Sequence, residues 1–474
     1  MTTPDPGLTG GRQRRWTHRP SRRRTPAMVR RRSWWLSSPA RVVAGLFVAG
    51  IAVATLVLVL PISGAGGDSV GFRTALFTAT SAICVTGLSI NDVATDWSTF
   101  GEVAIMVAVQ LGGFGIIALT SLLAILVSRR IGLSTRLIAQ TETNTLDLGD
   151  VRRVLIGVGV VTVLIEGAVA IVLTLRWWLS YGESLGYSAY LGVFHSIMSF
   201  NNAGFALYSD NLTGFATDPL ILFPVVVGII LGGLGFPVLF ELRREVRAPK
   251  RWSVHLKIML LGTVVLVVGG MCALTISEWS NPRTIGDLDV GAKLLNGLFA
   301  SVTPRTAGFN TFDYGQANDT TRLITDALMF IGAGPASTSG GIKVTTFVLL
   351  FFAILSEARG DQDVDAFGRR VPTAAIRQAI SVALLGVAVV AIGTLVMMAI
   401  TDLGLDVALF EVTSAFATVG LSTGVLPDLS GAAHYFLAGL MFVGRLGTVT
   451  LASALALRES RRLYRLPEER PIVG

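Results

Sequence analysis

Ser301-Val302-Thr303-Pro304-Arg305-Thr306-Ala307-Gly308-Phe309-Asn310 is the stretch whose reading decides how this chain folds. It follows an apolar run, Leu294 to Phe299, that is too short to cross a bilayer. Its plan recurs at Ser81-Ala82-Ile83-Cys84-Val85-Thr86-Gly87-Leu88-Ser89, at Ser199-Phe200-Asn201-Asn202-Ala203-Gly204-Phe205-Ala206, and at Ser414-Ala415-Phe416-Ala417-Thr418-Val419-Gly420-Leu421-Ser422. Each copy has a small or hydroxyl residue a few positions back, then one glycine, then an apolar residue. With the glycines in register, Phe77, Phe194 and Phe410 all fall ten residues upstream, where the third copy has Leu298. Gly87, Gly204, Gly308 and Gly420 succeed one another at 117, 104 and 112 residues, which is the mark of an internal repeat.

Composition sets the class. The 474 residues are 51% hydrophobic and only 15% charged, and runs such as Val42 to Leu60 and Val154 to Leu175 belong to a polytopic membrane protein. Membrane-length segments are expected near 42–60, 101–128, 154–178, 219–240, 256–276, 323–356, 374–400 and 433–457. Within each successive pair lies one short semi-apolar run ending at a repeated glycine. The expected fold is therefore all-α: four pseudo-repeats of helix, re-entrant pore loop and helix around one central pore, with eight transmembrane helices. Residues 1–41 read as a disordered basic cytoplasmic tail ending in the interfacial pair Trp34-Trp35, with no signal-peptide cleavage pattern. Repeats are expected over 42–150, 151–252, 253–372 and 373–474, the last including a short C-terminal tail. Cys84 and Cys272 imply no disulfide framework, and both read as small buried residues.

The net charge of +8 is an orientation signal. Basic residues fill the joints between repeats (Arg129, Arg130, Arg136, Arg152, Arg153; Arg243, Arg244, Arg247, Lys250, Arg251, Lys257; Arg359, Arg369, Arg370, Arg377) and follow the last helix (Arg458, Arg461, Arg462, Arg465). The stretches after each glycine, 88–100, 205–218, 309–319 and 421–432, contain neither Lys nor Arg. The positive-inside rule then places both termini and all three joints in the cytoplasm and the glycine loops outside, in a multi-pass cell-membrane protein. Nucleic-acid binding drops out.

Non-helical backbone at membrane depth is tolerated where it is buried in protein or lines a wet cavity. A pore helix entering from outside points its negative dipole end at the bilayer centre, favouring a cation there. The glycine after it lets the backbone aim carbonyl oxygens at the axis, and four copies would make rings that replace the hydration shell of a monovalent cation. Outer acids (Asp92 and Asp96, Asp210, Asp313, Asp428) would form a negative vestibule, against the plain alternative of solvated loop carboxylates.

A second register lies in the helices that follow. Gly112, Gly232 and Gly444 stand 25, 28 and 24 residues past their filter glycines, and read as sites of close backbone approach. Arg445 stands where two repeats have a further glycine, and would face a wet cavity as a positive barrier below the filter or form an ion pair with Glu166. In the third repeat alone, Gly332-Ala333-Gly334-Pro335-Ala336-Ser337-Thr338-Ser339-Gly340-Gly341-Ile342-Lys343 should break the helix into an irregular loop. A gate is its natural role; a kinked helix is the plain alternative.

Over 41–465 the chain resembles the Trk/Ktr/HKT superfamily of potassium transporters. The resemblance is carried by Arg305-Thr306-Ala307-Gly308-Phe309-Asn310, Asn202-Ala203-Gly204-Phe205, Thr418-Val419-Gly420-Leu421-Ser422, Val85-Thr86-Gly87-Leu88 and Ser339-Gly340-Gly341-Ile342-Lys343. Lacking a further hydrophobic hairpin before Val42, it is most similar to the KtrB-type membrane subunit. The resemblance implies that the four glycines, with the carbonyls of Val85-Thr86, Asn202-Ala203, Thr306-Ala307 and Thr418-Val419, coordinate potassium. Gly87 favours potassium because some members have serine there and pass sodium. It also implies that 332–343 is the intramembrane gating loop faced by Arg445, with Gly332, Gly334, Pro335, Ser337, Thr338, Gly340, Gly341 and Lys343 as gate residues. The implied assembly is a homodimer with one pore per subunit, regulated by a separate cytosolic nucleotide-binding ring of the KtrA/TrkA kind. This chain carries no nucleotide motif of its own. The substrate would be K+, with Na+ a candidate activator and no cofactor bound by the chain itself.

The alternative is a sodium-coupled alternating-access cation transporter, although such folds more often use inverted repeats and these four run in parallel register. Among only four histidines (His18, His195, His255, His434) no nucleophile–base or metal-ligand spacing stands out, so no enzyme is expected.

Overall fold

The computed structural model describes residues 39–130 and 148–457, with side chains described over 43–115 and 155–447. The basic tail, Arg136 and the arginines from Arg458 onward lie outside the described residues, and Arg129, Arg130, Arg152 and Arg153 lie outside the described side chains.

The chain is mostly helical, and one order of elements recurs four times: a long helix, a short helix, an extended loop, a second long helix or helix pair. The first set is α1 (Pro39–Leu58), α2 (Phe72–Ile83), the single turn α3 (Val93–Asp96) and α4 (Thr99–Arg130). The second is α5 (Leu148–Ser180), α6 (Leu185–Asn201), α7 (Pro219–Leu234) and α8 (Phe236–Glu245). The third is α9 (Val254–Glu278), α10 (Val290–Val302), α11 (Asp319–Phe330) and α12 (Val344–Arg359). A two-stranded hairpin, β1 (Asp365–Ala366) and β2 (Arg369–Arg370), leads to α13 (Thr373–Ile400), α14 (Leu405–Ala417) and α15 (Gly431–Leu457).

Local chemistry sets the starts. Ser184, Asp218, Ser253 and Asp289 cap α6, α7, α9 and α10 by accepting from backbone amides at 2.9–3.3 Å. Each satisfies a donor the first helical turn leaves free. Pro219 at the head of α7 needs no such partner.

The surface is inside-out for water. Leu164, Ile171 and Leu179 on α5, Val264, Val265 and Val268 on α9, and Leu384, Val387, Ile392 and Leu395 on α13 are all exposed. In water each would forgo about 1.5–3 kcal/mol of burial, so these faces fit lipid. Among the described residues Leu155–Ser180, Val254–Glu278 and Thr373–Ile400 are each long and apolar enough to cross a membrane, and α7 with α8 forms a bent fourth candidate. The four short helices are instead buried along most of their length, and Phe77, Phe194 and Phe410 are at most 1% exposed.

The sets interlock. α4 packs on α6, α7 on α10, α11 on α14, and α15 on α2, so the last element returns to the first short helix.

Two expectations are corrected. Cys84 is buried but Cys272 is exposed, because it lies on a face of α9 turned away from the bundle. The third set is not alone in breaking its helix. The run expected over 219–240 bends by 99° between α7 and α8 at Gly235. The helix breaks there because Pro237 offers no N–H to the Gly233 carbonyl and Gly235 can take φ +87°, outside the helical region.

Candidate functional site

All four short helices end in the same backbone figure. Two residues before each repeated glycine, Val85, Asn202, Thr306 and Thr418 take left-handed φ of 53°, 61°, 77° and 53°. That conformation costs an L-residue about 1–2 kcal/mol. Alternating right- and left-handed residues turns successive backbone groups of one kind to the same side.

The amide hydrogens are used on the helix side. Thr86 N donates to Ser81 O (2.7 Å), Val419 N to Ser414 O (2.8 Å), Ala203 N to Met198 O (2.9 Å) and Ala307 N to Thr303 O (2.9 Å). Gly87 N and Gly420 N donate to the hydroxyls of Ser81 and Ser414 at 3.0 and 3.2 Å. By contrast, the carbonyls of Val85, Thr86, Asn202, Thr306, Ala307, Thr418 and Val419 accept from no donor among the described residues. Buried carbonyls are nearly always paired, so a cluster of unpaired ones marks a place for an external positive group. In the second set Ala203 O accepts from Phe205 N at 2.6 Å and Gly204 O from Asn211 Nδ2 at 3.1 Å.

The glycines close a ring. A β-carbon added to Gly87 would lie 2.9 Å from Gly204 Cα; on Gly204, 2.5 Å from Gly308 Cα; on Gly308, 2.9 Å from Gly420 Cα; on Gly420, 3.2 Å from Gly87 Cα. Gly87, Gly308 and Gly420 also have positive φ (96°, 80° and 98°), which Gly204 does not share. The second glycine register has an equally plain role. Side chains at Gly112, Gly232 and Gly444 would collide with the carbonyls of Ile83, Phe200 and Phe416, each four residues before a ring glycine. Close approach was the expectation for these three.

The helix of the third set breaks between Phe330 and Val344. Ile331 and Ile342 bridge in parallel, and the loop they enclose is largely buried against the short-helix ends. Thr338 Oγ1 donates to Phe200 O (3.3 Å), and a β-carbon on Gly340 would meet Thr418 and Ala417. Ser337 Oγ donates to Gly334 O (2.6 Å), and Lys343 Nζ to Ser339 O (2.6 Å) and Gly340 O (3.2 Å). Gly332 packs on the carbonyl of Gly340, and Gly341 takes φ +62°.

The bend at Gly235 seats this loop. Gly334 N donates to Gly233 O (2.7 Å), a carbonyl that Pro237 could not have served in a continuous helix, and Phe236 N to Ala336 O (3.4 Å). A side chain on Gly235 would strike Pro335 O. Gly235→Ala should therefore cost about 1–2 kcal/mol in strain alone and unseat the loop. A lowered melting temperature with raised ion leak is the expected result; an unchanged melting curve would refute the seat.

Arg445 is 2% exposed, and its Nη1 donates to the carbonyl of Thr338. Its Nε and Nη2 find no partner among the described residues. The ion pair with Glu166 does not form. Glu166 instead accepts from Asn201 Nδ2 (3.1 Å) and Gln110 Nε2 (3.4 Å), because α6 and α4 bring those amides to it first.

The acids of the loops that follow the glycines serve those loops in part. Asp92 accepts from Ala94 N (2.9 Å) as the cap of α3, and Asp313 from Gly315 N (2.8 Å). Asp96, Asp210, Asp313 and Asp428 are exposed and make no ion pair among the described residues. Arg176 and Arg322 are paired with Asp218 (2.8 Å) and Asp406 (2.9 Å).

Ser81 and Ser414 were visible as the hydroxyl residues heading two of the four copies, but not their bonds to the glycine amides six residues on. His195 was given no role from the sequence, and Glu411 was not singled out.

A helical membrane transporter is the class this fold defines. The crystal structure of the potassium transporter TrkH from Vibrio parahaemolyticus aligns with a TM-score of 0.68, covering 90% of this chain and 88% of that one at 18% identity. The profile of the TrkH family, described as cation transport protein, matches residues 48–465, and the chain belongs to that family. It is 36% identical over 441 residues to Ktr system potassium uptake protein B of Bacillus subtilis, covering 93% of this chain and 98% of that protein. The protein of the same name from Vibrio alginolyticus is 34% identical (92% and 94% covered). The potassium/sodium uptake protein NtpJ of Enterococcus hirae is 32% identical (92% and 97% covered).

Proposed function

We propose that this chain is the potassium-translocating membrane subunit of an uptake system. The observation that carries the proposal is the closed ring of Gly87, Gly204, Gly308 and Gly420, beside backbone carbonyls that have no donor. Its ligands are the carbonyls of Val85-Thr86, Asn202-Ala203, Thr306-Ala307 and Thr418-Val419 with the four glycines. The names of the relatives from Bacillus, Vibrio and Enterococcus support potassium as substrate. On this reading the four sets are pseudo-repeats around one pore with eight transmembrane helices. The 332–343 loop and Arg445 form the gate, and Asp92, Asp210 and Asp313 belong to an outer vestibule. The protein sits in the cell membrane as a homodimer with cytoplasmic termini, regulated by a separate cytosolic nucleotide-binding ring.

Dipole direction adds to this. Each short helix aims its carbonyl end at the ring, where a cation gains from it.

Purified protein reconstituted in vesicles is expected to be dimeric and to pass potassium and rubidium well ahead of sodium and lithium, driven by voltage alone. Equal flux of all four ions would overturn the filter. Two broken helices favour a second reading, the sodium-coupled alternating-access transporter. Potassium flux that requires sodium in fixed stoichiometry would favour it over the first.

A further inference from the structure

The loops just beyond the ring are held differently from one set to the next, and the difference follows the register of the chain. Nine residues before each ring glycine lies a position on the short helix; three residues after it lies a position in the loop. In the second set these are His195 and Leu207, and the Leu207 amide donates to His195 Nε2 at 3.4 Å. Nδ1 of the same ring lies 2.9 Å from the Leu191 carbonyl. A ring that accepts at Nε2 and donates at Nδ1 is neutral and has its tautomer set by its partners. Trp177, Tyr208, Phe194 and Phe309 surround it with ring centroids 5.2–6.5 Å away.

In the fourth set the same two positions are Glu411 and Thr423. Glu411 Oε1 accepts from Thr423 N (2.8 Å), Thr423 Oγ1 (2.9 Å) and Ser422 Oγ (2.9 Å). His195 and Glu411 are both 0% exposed. In the first and third sets the position holds Thr78 and Phe299. Thr78 Oγ1 has no partner, and no side chain reaches the amide of Ile90 or Thr311 among the described residues.

The ring runs Gly87, Gly204, Gly308, Gly420, so the second and fourth sets stand across it from each other. We propose that His195 and Glu411 are positioning residues that pin the outer loops on opposite sides of the filter, so that discrimination between potassium and sodium depends on them. A ring of carbonyls favours the larger ion only while its oxygens resist closing around the smaller one, and each strut holds the strand directly above the ring. The inference rests on the filter reading above.

The test is the potassium-to-sodium permeability ratio of the reconstituted full chain. His195→Phe keeps an aromatic ring in its cage but removes the acceptor; Glu411→Asp shortens the strut by one methylene. Each is expected to lower the ratio several-fold while total flux and dimer elution persist. Glu411→Gln, which keeps an acceptor oxygen, should rescue the ratio, and Thr78→Ala should leave it unchanged. A wild-type ratio in His195→Phe and Glu411→Asp would overturn the proposal, as would Glu411→Gln being as damaging as Glu411→Asp. Where Glu411→Asp does not fold, His195→Phe and Glu411→Gln decide. A wild-type protein without potassium preference would instead fail the filter reading itself.

Discussion

Gly308→Ala is expected to reduce potassium flux about tenfold or more while the protein still folds. Two effects combine at this position. The added methyl would lie 2.5 Å from Val419 O and 2.9 Å from Gly420 Cα, well inside van der Waals contact. Alanine would also have to hold φ +80°, at about 1–2 kcal/mol. Against a total stability of about 5–15 kcal/mol that strain is tolerable, so the damage should fall on conduction. The measurement is rubidium uptake into vesicles beside a thermal melt. Wild-type uptake with an unchanged ion preference would refute the ring as the conducting element.

The second large effect is expected at Arg445, with the opposite sign. Arg445→Ala should raise potassium flux about tenfold, the factor that corresponds to about 1.4 kcal/mol of barrier. The guanidinium does two things that a flux measurement alone would merge: it holds the loop through Thr338 O, and it places a positive charge beside the short-helix ends. Arg445→Lys separates them. Lysine keeps the charge without the planar donor fork, so a flux close to wild type would assign the barrier to charge, and a flux close to Arg445→Ala would assign it to the hydrogen bond. A fall in flux for Arg445→Ala, with normal elution and melting, would remove the barrier role altogether.

Much of this arrangement was legible in the residues. The glycine loops announce themselves because their demands are local: a short helix, a left-handed residue and a glycine recur at fixed spacing. The break at 332–343 was equally plain, since proline and clustered glycines cannot continue a helix there. The break at Gly235 carried the same signal in Pro237 two residues on, and was passed over. It sits in an apolar run whose other glycines, Gly232 and Gly233, serve close packing, and only the loop from another part of the chain gives Gly235 its role. Partner choice was hidden for the same reason. Glu166 and Arg445 are both charges stranded in apolar helices, but which amide or carbonyl each meets depends on how α4, α6 and the loop are arranged in space. His195 and Glu411 were concealed because they share a register position without sharing a chemistry.

The packing of α15 on α2 has a consequence for biosynthesis. α2 ends at Ile83 and must wait for a helix that begins only at Gly431, so the earliest-made of the four short helices spends nearly the whole of translation without its neighbour. Contacts so distant along the chain form late and slowly. A nascent chain stopped short of α15 would leave the face of α2 that α15 covers open in the bilayer, a natural target for quality-control proteases.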